Sequence, residues 1–159
     1  MGGLSQDLLS AVDDRIVVVD SVRDWIEAIR LAGLLLVRDG IVEEKYIEAM
    51  VKVTQELGPY AVLAPGVAMP HARPEDGARK IGISIVIVKN GVSFNSPNDP
   101  VYIVIGFAAI DKTSHLNILK ELADFLSISD IIKKLGNASS PSQVKEIIKE
   151  YQHSQMHKH

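Results

Sequence analysis

Ile81-Gly-Ile-Ser-Ile-Val-Ile-Val88 is a near-continuous β-branched run, and Val101-Tyr-Ile-Val-Ile-Gly-Phe-Ala-Ala109 repeats its texture a short way downstream. A strand with one wet face alternates apolar and polar residues, whereas a strand that is apolar throughout is buried on both faces. The two runs therefore predict a sheet covered by helices on both sides. Between them, Val92-Ser-Phe94 reads as a short strand and Asn95-Ser-Pro-Asn-Asp-Pro100 as a turn-rich loop, with Asp99 as a turn former.

Upstream, Arg15-Ile-Val-Val-Val-Asp20 and Tyr60-Ala-Val-Leu-Ala64 read as short strands, and Leu4 to Ala11 as a helical lead-in. Val22, Trp25, Ile26, Ile29, Gly33 and Leu36 recur at helical spacing, opened by a capping box at Ser21-x-x-Asp24 and ended by Gly40. A second helix places Val42, Tyr46, Ala49, Met50, Val53 and Leu57 on one face and stops at Gly58-Pro59. Pro65 to Ala78 carries three prolines and two glycines and reads as a loop. Downstream, Leu116, Leu119, Leu122, Ala123 and Leu126 mark a helix, and Asp130 to Leu135 a shorter one. The last helix is capped by Ser140-Pro141-x-Gln143 and is expected to run to about Tyr151. The order predicts an α/β sandwich, without separating parallel from antiparallel pairs.

Composition narrows the function. The chain has 159 residues, which suits one domain. Lys and Arg total 17 against 20 Asp and Glu, a formal charge of −3, which argues against nucleic-acid binding. Hydrophobic residues at 47% exclude a disordered chain. Cysteine is absent, which removes disulfides, zinc–thiolate sites and a cysteine nucleophile. The uncharged run Val101–Ile110 is about half the roughly 20 residues of a membrane-spanning helix. Met1-Gly-Gly-Leu-Ser-Gln-Asp7 has no signal-peptide pattern, so a soluble cytoplasmic protein is expected.

Two histidines stand apart from the three in the polar tail, His153, His157 and His159. His71 follows Pro70 in the Pro/Gly-rich loop, where a stiff backbone can hold a ring at a fixed angle. On position alone it also reads as an ordinary loop histidine bonded to the backbone. His115 lies in Asp111-Lys-Thr-Ser-His-Leu-Asn117, where Thr113 or Ser114 can cap a helix and put His115 in its first turn. Free N–H groups there favour an anion, and a neutral imidazole can donate through one nitrogen. A half-buried capping histidine is the plainer reading. Glu75 and Asp76, near His71, read as solvated charges. No Walker-type loop, GxGxxG, His-Glu-x-x-His or Gly-x-Ser-x-Gly is present.

In order, Gly66-Val-Ala-Met-Pro-His71, a strand, Phe94-Asn-Ser-Pro-Asn-Asp-Pro-Val101, an apolar strand, and His115-Leu-x-x-Leu119 with Leu122-Ala123 form a recognisable set. It resembles the enzyme IIA domain of the fructose/mannitol type in the bacterial sugar phosphotransferase system, from about Leu4 to Tyr151. Pro70-His-Ala-Arg-Pro-Glu-Asp-Gly77 looks most like the branch that serves L-ascorbate. The resemblance implies a mixed β-sheet flanked by helices on both faces. It implies one domain over residues 1–151, leaving 152–159 as a disordered, His-containing polar tail. It makes His71 the phosphorylated nucleophile and His115 the residue that positions the phosphoryl group. The donor is then the phosphohistidine of the carrier HPr. The acceptor is a cysteine of an enzyme IIB, which meets a membrane IIC. No metal, cofactor or nucleic acid is implied.

Phosphoryl transfer asks chiefly for in-line positioning and charge stabilisation, which an exposed imidazole with donors around it can supply. With no cysteine, the IIB step cannot reside in this chain. Many relatives carry an arginine in the helix before the active loop, but Met50-Val-Lys-Val-Thr-Gln-Glu56 has none. Arg73 is the candidate charge stabiliser in its place, with Lys112 as a second. A regulatory protein phosphorylated at His71 but feeding no transporter is the alternative function. A metal-dependent hydrolase using both histidines is poorly supported, since no carboxylate–histidine cluster has ligand spacing.

Overall fold

The computed structural model describes residues 7–111, 113 and 115–156. In chain order the elements are α1 (Leu8–Val12), β1 (Ile16–Val19), α2 (Trp25–Arg38), α3 (Lys45–Leu57), β2 (Val62–Ala64), β3 (Val67–Ala68), β4 (Gly82–Val92), β5 (Val101–Ala108), α4 (Leu116–Leu126), α5 (Ile131–Gly136) and α6 (Pro141–Met156). The five strands form one sheet in the order β1-β4-β5-β3-β2. β1 is parallel to β4 and β3 to β5, while β4 is antiparallel to β5 and β2 to β3. The sheet is therefore mixed.

Residue alternation along the two central strands builds two cores. Ile83, Ile85 and Ile87 of β4, with Ile103, Ile105 and Phe107 of β5, face α1, α4, α5 and α6. Val86, Val88, Val101 and Val104 face α2 and α3. Burying each such side chain contributes roughly 1.5–3 kcal/mol, so both faces must be covered, as the apolar runs predict. Gly106 lets α2 lie close to the sheet: a Cβ there would overlap Ser84 Oγ and press on Ala32.

Several local expectations shift. The cap of α2 is Asp24, whose carboxylate accepts from Glu27 N at 2.9 Å, while Ser21 Oγ accepts from Asn90 Nδ2. The expected break before Val92 is absent, because β4 continues through it. The Pro65–Ala78 loop contains β3, a two-residue strand made by pairing Val67 with Ile103 and Ala68 with Val104. α6 continues past Tyr151 to Met156, so residues 152–156, expected to belong to a disordered tail, are helical. Leu4 to Gln6, His157 and His159 lie outside the described residues. Among the described residues no helix is long and apolar enough to cross a membrane.

Candidate active site

Because β3 and β5 are parallel neighbours, both present their carboxyl ends at one edge of the fold, the usual place for a site in such sheets. His71 follows β3 and His115 follows β5. Gly66, at φ +89°, makes the turn that returns the chain from β2 into β3, and its carbonyl accepts from Tyr102 N and Ile103 N. The ladder then runs on beyond β3: Phe107 N donates to Pro70 O at 3.1 Å.

The His71 ring is oriented by its own loop. Nδ1 lies 3.0 Å from the carbonyl oxygen of Met69. A carbonyl can only accept, so Nδ1 is the donor, and in the neutral ring that leaves the lone pair on Nε2. The residue is half-buried.

On the other side of His71 the backbone is fastened by Tyr46 of α3. Ala72 N donates to the Tyr46 hydroxyl at 3.0 Å, and that hydroxyl donates to the Phe107 carbonyl at 2.8 Å. The Ala72 carbonyl, at 3.2 Å, is its second possible acceptor. Tyr46 is only 1% exposed. Burial pushes its phenol up to about 12 against the bond to Ala72, so it keeps its proton through the neutral range.

His115 is the N-cap residue of α4, one step outside the expected first turn, and its side chain makes no capping bond. Its ring meets Phe107 edge-on, with centroids 5.8 Å apart at 61°. Its Nδ1 is buried and has no hydrogen-bond partner among the described residues. Ser114, one of the expected caps, and Lys112, the second candidate cation, lie outside the described residues. Phe107 is thus the common neighbour: its backbone holds both flanks of His71, and its ring supports His115.

Arg73 is 71% exposed in its side chain and turns toward Asp76. Its Nη2 lies 3.2 Å from Asp76 Oδ1 and its Nε 3.3 Å from Oδ2, while its backbone N donates to Oδ2 at 3.0 Å. These contacts hold the Asp76 carboxyl below the usual range and close the helical turn Pro74–Asp76. Much of the Arg73 charge is therefore directed at Asp76. Glu75 is exposed, and His153 lies on the exposed side of α6. Asp99 sits at the opposite end of β5, where it does form the turn.

Tyr46 and Phe107 are the contributors that sequence reading passes over. Periodicity places Tyr46 on the apolar face of α3, which is correct. The usable signal is that a buried tyrosine needs a partner for its hydroxyl.

Exposed apolar side chains lie on the elements next to β3 and β5. Tyr60 and Leu63 (83% and 55% exposed) occupy the lead into β2 and β2 itself, while Ile110 and Leu116 flank the His115 segment. Such side chains suit contact with a protein partner.

Residues 12–151 match the family described as the phosphoenolpyruvate-dependent sugar phosphotransferase system, EIIA 2. The chain is 40% identical over 136 residues to the mannitol-specific cryptic phosphotransferase enzyme IIA component of Escherichia coli K12, covering 86% of this chain and 92% of that protein. It is 36% identical over 126 residues to the ascorbate-specific PTS system EIIA component of the same organism, covering 78% and 82%. The structure of Escherichia coli enzyme IIA mannitol in complex with phosphorylated enzyme IIB mannitol matches with a TM-score of 0.75 at 29% identity, covering 87% of this chain and 96% of that one. The chain belongs to the EIIA 2 family of the sugar phosphotransferase system, whose members are phosphotransferases that carry the phosphoryl group on histidine.

Proposed function

We propose that this enzyme IIA component takes a phosphoryl group from phospho-HPr on Nε2 of His71 and passes it to a cysteine of a cognate enzyme IIB in the cytoplasm. The observation that carries the reading is the Nδ1–H bond from His71 to Met69 O, which leaves Nε2 as the ring's lone pair. In the first transfer, the bond from phosphorus to the donor's ring nitrogen breaks as the bond to Nε2 forms. The proton stays on Nδ1, and the Met69 carbonyl meets the positive charge that develops on the ring. In the second transfer the thiolate of IIB displaces Nε2, which returns His71 to its starting tautomer.

His115, braced on Phe107, donates one N–H to the phosphoryl oxygens. Arg73 adds charge when its guanidinium leaves Asp76. Exposed apolar side chains, Leu63 and Leu116 among them, receive HPr and IIB in turn, and small interfaces of this kind allow quick release. Membrane IIC is met only through IIB. Residues 1–151 act as one domain, which the helical turn to Met156 extends. The wording of Pro70–Gly77 supports L-ascorbate or a related sugar acid as the cargo. The mannitol-named relative matches over a longer stretch than the ascorbate-named one, so an assay must offer both sugars.

The test is incubation with phosphoenolpyruvate, enzyme I and HPr, followed by intact mass and mapping of the acid-labile adduct. One phosphate on His71 is expected. No adduct, with active control proteins, overturns the proposal. Phosphorylation without transfer to the IIB of either sugar system would favour a regulatory protein.

A further inference from the structure

We infer that Tyr46 is a positioning residue for phosphoryl transfer: its hydroxyl locks the backbone beyond His71 to the end of β5 that supports His115. The inference rests on the proposed role of His71.

The geometry is specific. Pro70 and Ala72 flank His71, and both are tied to Phe107. Pro70 is bound directly, by its carbonyl accepting from Phe107 N at 3.1 Å. Ala72 is bound through Tyr46, which accepts from Ala72 N and donates to Phe107 O. The ring of Phe107 lies edge-on against His115. One residue of β5 is therefore the shared reference for both histidines, and the tyrosine hydroxyl completes the connection. A hydroxyl can do this because it donates and accepts at once. Phenylalanine would fill the same space and leave both backbone groups unbridged. A relay meets two partners in succession, and the ring must stand at the same angle for each. Misplacing reacting atoms by about 1 Å can cost about 100-fold in rate.

Tyr46→Phe is the direct test. Phosphoryl uptake from phospho-HPr per folded molecule should fall at least about 10-fold. Nitrogen-15 spectra of the unphosphorylated protein should change from a single Nδ1–H tautomer of His71 to a mixture. Tyr151→Phe removes a hydroxyl that donates to Glu121 O at 3.4 Å among the helices of the opposite face, and it should keep both the rate and the tautomer. A merely structural hydroxyl would lower the melting temperature in Tyr46→Phe while leaving the tautomer and the rate per folded molecule unchanged, and that result overturns the inference. Equal slowing in Tyr151→Phe also overturns it. If Tyr46→Phe does not fold, amide exchange at Ala72 in the unmodified protein decides: protection like that of β5 supports the lock, and exchange like that of an open loop removes it. If the unmodified protein takes no phosphate, the proposed function fails, and the tautomer and Ala72 exchange still decide whether the lock exists.

Discussion

The two ends of β5 treat their polar groups in opposite ways. At its start, the Asp99 carboxylate accepts from Phe94 N, Ser96 N and Ser93 Oγ, all within 3.0 Å. At its finish, beside Phe107, His71 Nε2 makes no hydrogen bond among the described residues, and buried His115 Nδ1 has no partner there either. Satisfied groups fix a turn; a half-buried ring nitrogen without a partner, as at His71, is open to chemistry. Substitutions at the first end should therefore alter stability and leave transfer alone, and substitutions at the second should do the reverse.

The largest effect tests that contrast most directly. His71→Gln should abolish phosphate uptake, read as loss of the added mass, while the thermal unfolding curve stays close to that of the unmodified protein. A stoichiometric adduct on the variant would move the nucleophile elsewhere. His115→Ala should still accept phosphate but pass it on about 100-fold more slowly, the usual scale for one lost donor to a charged transition state. Rapid-quench transfer to IIB measures this, and normal kinetics would remove His115 from the chemistry.

The same contrast marks what the sequence could disclose. The two central strands are legible because burial on both faces writes itself as unbroken β-branched residues. β3 is not, because its two residues become a strand through pairing with β2 and with β5, the latter some 36 positions downstream at Val67 and Ile103. His71 is visible through its stiff Pro/Gly setting, whereas the tautomer depends on a carbonyl two residues back whose direction no residue type announces. Tyr46 reads as core since its ring is core; its hydroxyl partners are 26 and 61 residues away. The cap of α2 shifts for a plainer reason: Asp24 and Glu27 offer the same capping chemistry as Ser21 and Asp24, one turn later.

At the start of β5, Asp99→Asn should cost about 1–2 kcal/mol at pH 7, with the transfer rate unchanged. Burial raises the Asp99 pKa, but the backbone and hydroxyl donors outweigh it, and the net shift is downward. The sign follows: a carboxylate with a lowered folded pKa contributes stability above its unfolded value of about 3.9, and the contribution is lost as pH falls through the folded value. The stability gap between the two proteins, read by denaturant titration, should therefore close below about pH 4. A gap that persists in acid would assign the effect to packing of the turn.

Arg73 should give the smallest effect, and it tests whether the finishing end of β5 is as open as the histidines suggest. Its guanidinium is mostly in solvent and already faces Asp76, and water weakens an exposed charge of this kind, so a change of no more than about fivefold in rate is expected. Arg73→Ala should slow phosphate uptake within that limit and leave the fold intact. Asp76→Asn supplies the opposite sign: it weakens the hold on the guanidinium and should speed uptake, provided the freed charge reaches the phosphoryl group. Both effects should fade with added salt, since screening acts strongly on exposed charges. If neither variant changes the rate, Arg73 belongs to the turn at Pro74–Asp76 alone, and His115 with the loop backbone must stabilise the transferring group without it.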